Sequence, residues 1–196
     1  MVSGVFILVN EMNDRKLLEL AARAAGMVCY NQETGSMTWR KKSEQVSDAK
    51  RWNSRYAGKE CGTIDDKGYR RILFRFGKGP TFKIRAHRLA WFIVYGSMPE
   101  LEIDHINQCK TDNSIANLRD VKRTVNQRNG TRKGNNTSGV PGVSWHKQRG
   151  KWCAQANFDG KHYHIGLFDD LTAAADAARQ FRSENGFTNN HGRVVK

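Results

Sequence analysis

The chain lacks any apolar run able to span a bilayer. "VFILV" at Val5 to Val9 falls far short of the roughly 18 residues a transmembrane helix needs. It also lacks the basic flank and the length of a secretion signal. A soluble, cytoplasmic protein without membrane contact is expected. Paired cysteines are missing too. Cys29, Cys61, Cys109 and Cys153 are scattered with no CxxC, which excludes a zinc knuckle and a disulfide frame and predicts isolated buried thiols. Acidic residues are scarce: 19 Asp plus Glu stand against 33 Lys plus Arg in 196 residues. Such a surface attracts polyanions, and nucleic acid is the first candidate because each neutralised phosphate releases counterions.

What is present suggests two small domains. "NDRKLLELAARAAG" predicts a helix capped at Asn13 or Asp14, with Leu17, Leu20, Ala21 and Ala24 as its stripe and Gly26 as its stop. From Val28 to Ile84, aromatic and β-branched residues between turn signals predict hairpins interrupted by a short helix near Asp48 to Tyr56. "AHRLAWFIVYG" reads as a helix apolar on nearly every side, and therefore buried on most sides. "GTRKGNNTSG", Gly130 to Gly139, has no apolar residue and reads as a linker. The expected division is an N-terminal helix-and-hairpin region at 1–80, a second unit at 81–130, a linker at 131–138 and a further domain at 139–196.

In that last region Asp159-Gly160 separates two alternating runs, a hairpin signal because a type I′ turn needs positive φ at both central residues. Trp152, Ala154, Ala156 and Phe158 share one face, and Tyr163, Ile165 and Leu167 are expected beside them, opposite His162 and His164. A helix capped at Asp169 or Asp170, with Leu171, Ala174, Ala175, Ala178 and Phe181 as its stripe, would cover the apolar side and end at Gly186. An ordinary solvated face is the plain alternative for the polar side. "GVSWHKQRGKWCAQANFDGKHYHIGLFDDLTAAADAA" resembles the apetala/ethylene-response-factor DNA-binding domain. That resemblance implies a three-stranded sheet reading the major groove, with His146, Lys147, Arg149, Lys151, Gln155, Asn157, His162 and His164 as DNA-binding residues. Contact positions that hold Arg and Trp in the family are Ser, His, Gln and Asn here, so the base sequence read does not transfer.

The densest chemistry lies in "EIDHINQCKTDN", Glu102 to Asn113, followed by Asn117 and Asn126. Asp104 beside His105 alone leaves a buried ion pair, a metal site and a general base all open. The ordered set H-R-L, D-H, N, N-L-R and N-x-x-N over His87 to Asn129 resembles the HNH endonucleases, in particular the phage homing-endonuclease branch with Asn in place of the last His. It implies an α+β protein in which a ββα-metal nuclease unit precedes the small sheet-and-helix domain. His105 would be general base, suited to it by a reference pKa near neutrality. Asp104 and Asn126 would hold one Mg²⁺ or Mn²⁺ per site, oxygen donors suiting a hard cation. Asn117 would bond backbone across the loop and hold the Asp104-His105 segment. Asn113 reads equally as a turn former, and His87 as orienting a catalytic group, touching phosphate or satisfying the core. Arg88, Arg119, Lys122, Arg123 and Arg128 would meet phosphate, since six basic residues and one acid fall between Arg119 and Lys133; a solvated charge run competes.

The function expected is metal-dependent hydrolysis of phosphodiesters in double-stranded DNA. A monomer or weak dimer is expected: a monomer would nick one strand, and cutting both would require a dimer or two events. The competing readings are a non-catalytic DNA-binding regulator with a degenerate nuclease unit and, on charge alone, an RNA-binding or packaging protein.

Overall fold

The structure is a computed structural model describing residues 3–130, 136–189 and 191–192, with side chains from residue 14 onward. It is mixed α and β, with several small antiparallel sheets rather than one large one. The chain divides into two compact units, Met1–His105 with Cys109–Asp120, and Ile106–Gln108 with Val121–Lys196.

The first unit opens with α1 (Ser3–Gly26), which starts ten residues before the cap expected at Asn13 or Asp14. Ala21 and Ala24 are fully buried, as the stripe requires. Then come the hairpin β1 (Val28–Tyr30) and β2 (Met37–Trp39), helix α2 (Ala49–Tyr56), the antiparallel sheet β3 (Thr63–Ile64), β4 (Arg70–Arg75) and β5 (Thr81–Arg85), and helix α3 (Ala86–Tyr95). Val28, Met37, Ile72, Phe74, Ile84 and Leu89 form the core. Burial of α3 is narrower than expected. Ala86, His87, Leu89 and Ala90 are buried, but Tyr95 is 54% exposed, because a ten-residue helix turns only one side to this core. Strand β6 (Glu102–His105) pairs with β7 (Leu118–Val121), and a 3₁₀ turn at Ile115–Asn117 joins them.

The second unit holds α4 (Arg123–Arg128), the sheet β8 (Val143–His146), β9 (Lys151–Phe158) and β10 (Lys161–Phe168) in the order β10-β9-β8, and α5 (Leu171–Glu184). Asp159 and Gly160 take φ of 46° and 75°, the turn their dipeptide specifies. Asp170 caps α5 by accepting from Ala173 N at 2.8 Å. Val143, Ala154, Ala174 and Ala178 make the core, with Trp152, Ile165 and Phe168 against it. Gly142 is required where it stands, since a Cβ there would lie 2.2 Å from the Gln155 carbonyl.

One strand face is corrected. The register slips between His164 and Gly166, so Leu167 pairs with Cys153 and Phe168 with Trp152. A bulge reverses the alternation beyond it, and Phe168 rather than Leu167 joins the core. The thiols are also corrected: Cys61 and Cys153 are buried, Cys29 is exposed and Cys109 is half-buried, with none of the four in a disulfide. Burial raises the Cys61 thiol to about 12. Residues 131–135 of the expected linker lie outside the described residues. Asn136 and Ser138 are held by side-chain bonds to the Val140 and Val143 carbonyls. Among the described residues no helix is long and apolar enough to cross a membrane.

Candidate active site

Strand β6 carries Asp104 and His105 side by side, and both are buried, at 5% and 4% exposure. Neighbours on a strand point apart, and these two engage different partners. Asp104 Oδ2 accepts from both Nε and Nη2 of Arg119, at 2.9 and 2.7 Å, across the β6–β7 pair. Arg119, expected on phosphate, is thus spent on the carboxylate in this structure.

His105 turns to the loop that follows. Its Nε2 lies 3.3 Å from Asn113 Oδ1, while Asn113 Nδ2 donates to the Thr111 carbonyl at 3.2 Å. With that amide so oriented, Oδ1 can only accept, and neutral His105 carries its proton on Nε2 and its lone pair on Nδ1. Burial lowers the His105 pKa, the Asn113 bond and the Asp104 charge opposing it. The ring is therefore neutral at neutral pH and able to accept a proton.

Two further rings complete the wall. His87, from the first turn of α3, meets His105 edge-on with centroids 5.1 Å apart, and Tyr69 lies 5.9 Å from His105 and 5.2 Å from His87. His87 is 4% exposed, and its Nδ1 has no hydrogen-bond partner among the described residues. Burial, then the neighbouring His105, pushes its pKa down to about 3, so it packs as a neutral ring. Above Tyr69 sit two cations, the Arg85 guanidinium at 4.4 Å and Lys110 Nζ at 5.0 Å from the ring centroid. Lys110 also donates to the Lys67 carbonyl at 2.9 Å.

The loop is held from both sides. Asn117 donates to the Asp112 carbonyl at 2.8 Å, tying its two ends together. Tyr30 Oη donates to the Asn113 carbonyl at 2.7 Å, and Ile115 N donates to the Gln32 carbonyl at 3.0 Å. Gly35, at φ 69°, brings the β1–β2 turn so close that a Cβ would lie 2.3 Å from Ser114 N. The supporting hairpin has the plain task of shaping the loop that carries Asn113. Sequence reading gave no role to Tyr30, Gly35, Tyr69, Arg85 or Lys110, and left Asn113 between a turn former and a site residue of unstated task. The turn-type glycine in "NQETG" marks Gly35 as a special backbone position but cannot say what approaches it.

The other expected site residues are dispersed. Arg88 is half-buried and reaches the Pro99 carbonyl at 3.5 Å. Lys122 and Arg123 are exposed at the start of α4, and Asn126 is half-buried on it, in the second unit. Arg128 is paired with Asp159. On the sheet, Lys147, Arg149, Asn157, His162 and His164 are exposed and His146, Lys151 and Gln155 half-buried. Lys151 pairs with Asp169 at 2.9 Å, and His162 Nδ1 lies 2.9 Å from Asn157 Oδ1. Among the described residues no group of three or more His, Cys, Asp or Glu side chains could hold a metal. That excludes a closed zinc-type cage of protein ligands there. An oxygen-preferring cation with a shell largely of water and phosphate needs no such group.

A buried Asp-His pair on a short strand, followed by an Asn-laced loop and a basic helix, defines an HNH-type nuclease unit, and the HNH endonuclease family model matches residues 85–128. Protein 3.8 of Escherichia phage T7 is 30% identical over 118 residues, which cover 60% of this chain and 94% of that protein. The chain belongs to the family of that phage protein and carries an HNH endonuclease domain. A solved structure of the HNH homing endonuclease I-HmuI, described as showing DNA binding and cleavage, is 27% identical with a TM-score of 0.37. The match covers 53% of this chain and 51% of that one, so this chain spans about half its length.

Proposed function

We propose that the protein is a metal-dependent endonuclease that hydrolyses phosphodiester bonds in double-stranded DNA, nicking one strand per active site. The observation that carries the reading is the buried His105, oriented by Asn113 and walled by His87 and Tyr69 within the HNH match. His105 Nδ1 takes a proton from water as the water oxygen attacks phosphorus. The bond to the 3′ oxygen breaks and that oxygen takes a proton from solvent water, leaving a 5′-phosphate and a 3′-hydroxyl; the proton on His105 is later returned to solvent. Asn117 and Asn113 keep the base in place, and Arg85 and Lys110 above Tyr69 supply positive charge for the scissile phosphate.

HNH nucleases generally use divalent ions. Here Asp104 and Asn126 would hold Mg²⁺ or Mn²⁺, in the ββα order of β6, β7 and α4, an oxygen set that suits hard cations better than zinc. The ion would polarise the phosphate and stabilise the leaving oxygen. For that, Arg119 must share or release the Asp104 carboxylate.

The second unit supports a DNA reader of the apetala type: three antiparallel strands on one helix, with polar side chains on the uncovered face. The non-catalytic regulator remains the second reading, favoured by the Arg119–Asp104 pair, which already neutralises the only acid of the set. A supercoiled-plasmid assay separates them. Mg²⁺-dependent nicking by the wild type, lost in His105→Ala while gel-shift binding persists, is the expected result. No nicking of any DNA that the protein binds, with Mg²⁺ or Mn²⁺, would give the regulator reading precedence.

A further inference from the structure

Residues 128–130, at the end of α4, are each fastened to distant parts of the second unit. Arg128 Nη2 donates to Asp159 Oδ1 at 2.6 Å, and its guanidinium lies 4.5 Å from the centre of the Phe158 ring. Both partners form the tip of the β9–β10 hairpin. The Arg128 carbonyl accepts from Thr188 N at 3.3 Å, and Thr188 Oγ1 donates to Asn129 Oδ1 at 2.8 Å. The Gly130 carbonyl accepts from Gly192 N at 2.8 Å. On the other side the Asn129 carbonyl accepts from Gln108 Nε2 at 2.7 Å, and Asn129 Nδ2 donates to the Ile106 carbonyl at 3.4 Å. Asn129 and Gln108 are 4% and 6% exposed.

We propose that this knot is a clasp by which the C-terminal module positions the catalytic segment, with Arg128 and Asp159 as positioning residues. Ile106 follows His105 directly in the chain, and α4 carries Asn126. A six-residue helix whose first turn has no side-chain cap cannot stand by itself, since isolated helices need about 12–15 residues. The clasp supplies the missing support at its C-terminal end. The module therefore does a second job besides meeting DNA, and Arg128, basic though it is, has its charge answered inside the protein. The catalytic half of this inference rests on the nuclease reading; the structural half does not.

Asp159 provides the discriminating variant, because an acid cannot be a phosphate contact. Were Arg128 a plain phosphate ligand, Asp159→Ala would free it and tighten DNA binding with no loss of rate. The clasp predicts otherwise. In full-length Asp159→Ala without DNA, amide exchange at 106–108 and 123–130 should quicken about tenfold, with α5 unchanged. Single-turnover cleavage at saturating DNA should fall about tenfold with no loss of affinity, and the exchanged pair Arg128→Asp/Asp159→Arg should recover most of both. Thr188→Val, on the other arm, should show the same pattern more weakly and guards against a variant that fails to fold. Wild-type exchange and rate in Asp159→Ala, with weaker DNA binding in Arg128→Ala, would overturn the clasp. If the wild type cuts nothing, the exchange result still decides the structural claim while the nuclease reading fails separately.

Discussion

Around His105 the polar side chains are buried and bonded to one another, whereas those on the β8–β10 sheet mostly stand in water. His87, Asp104, His105, Asn113 and Asn117 are all at most 7% exposed, while Asn157, His162 and His164 are exposed. Burial of polar groups is costly unless they are paired, so the first arrangement has to be complete before it is useful. A solvated face has no such demand. Its side chains can be exchanged without unfolding the sheet.

The comparison breaks most sharply at His105. His105→Ala should lower cleavage by about 10²–10⁴-fold, the range for loss of a general base, with DNA affinity in gel shift kept. An unchanged rate would remove the chemistry from this cluster altogether.

Gly35→Ala tests the completeness of the buried arrangement from outside it. The new Cβ would meet the backbone at Asn113 and Ser114, and the mutant should lose about 3 kcal/mol in urea denaturation. A shift of a few tenths would mean that the hairpin adapts and the loop is not tightly cradled.

His87 gives the pH test. Its folded pKa, about 3, lies below the 6.5 of an unfolded histidine, so the unfolded chain binds the extra proton between those values. Its contribution is present above pH 6.5 and is lost as pH falls towards 3. Between pH 6.5 and 5 the wild type should lose about 2 kcal/mol more stability than His87→Phe. Parallel profiles for the two proteins would show that the ring is not held neutral by burial.

The smallest effect is expected on the open face. Gln155→Ala should cost about 1 kcal/mol of discrimination between DNA sequences, with the cleavage rate at saturation unaltered. Loss of rate instead would extend the catalytic apparatus into the sheet.

Much of this architecture is legible in the chain because it depends on short-range signals. Asp159-Gly160, the Asp170 cap and the alanine stripe of α5 each specify local geometry by steric or hydrogen-bonding rules. The Asp104-His105 motif is likewise contiguous. The bulge at Ile165 is not legible, since an unbroken register would set apolar Leu167 against Trp152 just as the slipped one sets Phe168 there, and it moved Leu167 off the core. Nor does sequence show that Arg119 faces Asp104 or that Arg128 faces Asp159. Basic residues behind a nuclease motif look alike whether they meet a phosphate or a carboxylate, and only the fold supplies the acid. Tyr30 and Asn113 meet across 83 positions, a relation that no local pattern carries.

That last separation bears on how the protein is made. Tyr30, Gln32 and Gly35 leave the ribosome long before Asn113 and Ile115 exist to dock on them, and closing so long a loop is entropically slow. A hairpin of two three-residue strands is marginal alone, so cradle and loop complete one another. His105 and Asn113 emerge almost together, eight positions apart, but the loop that joins them is cradled only once it docks on a turn made about eighty positions earlier.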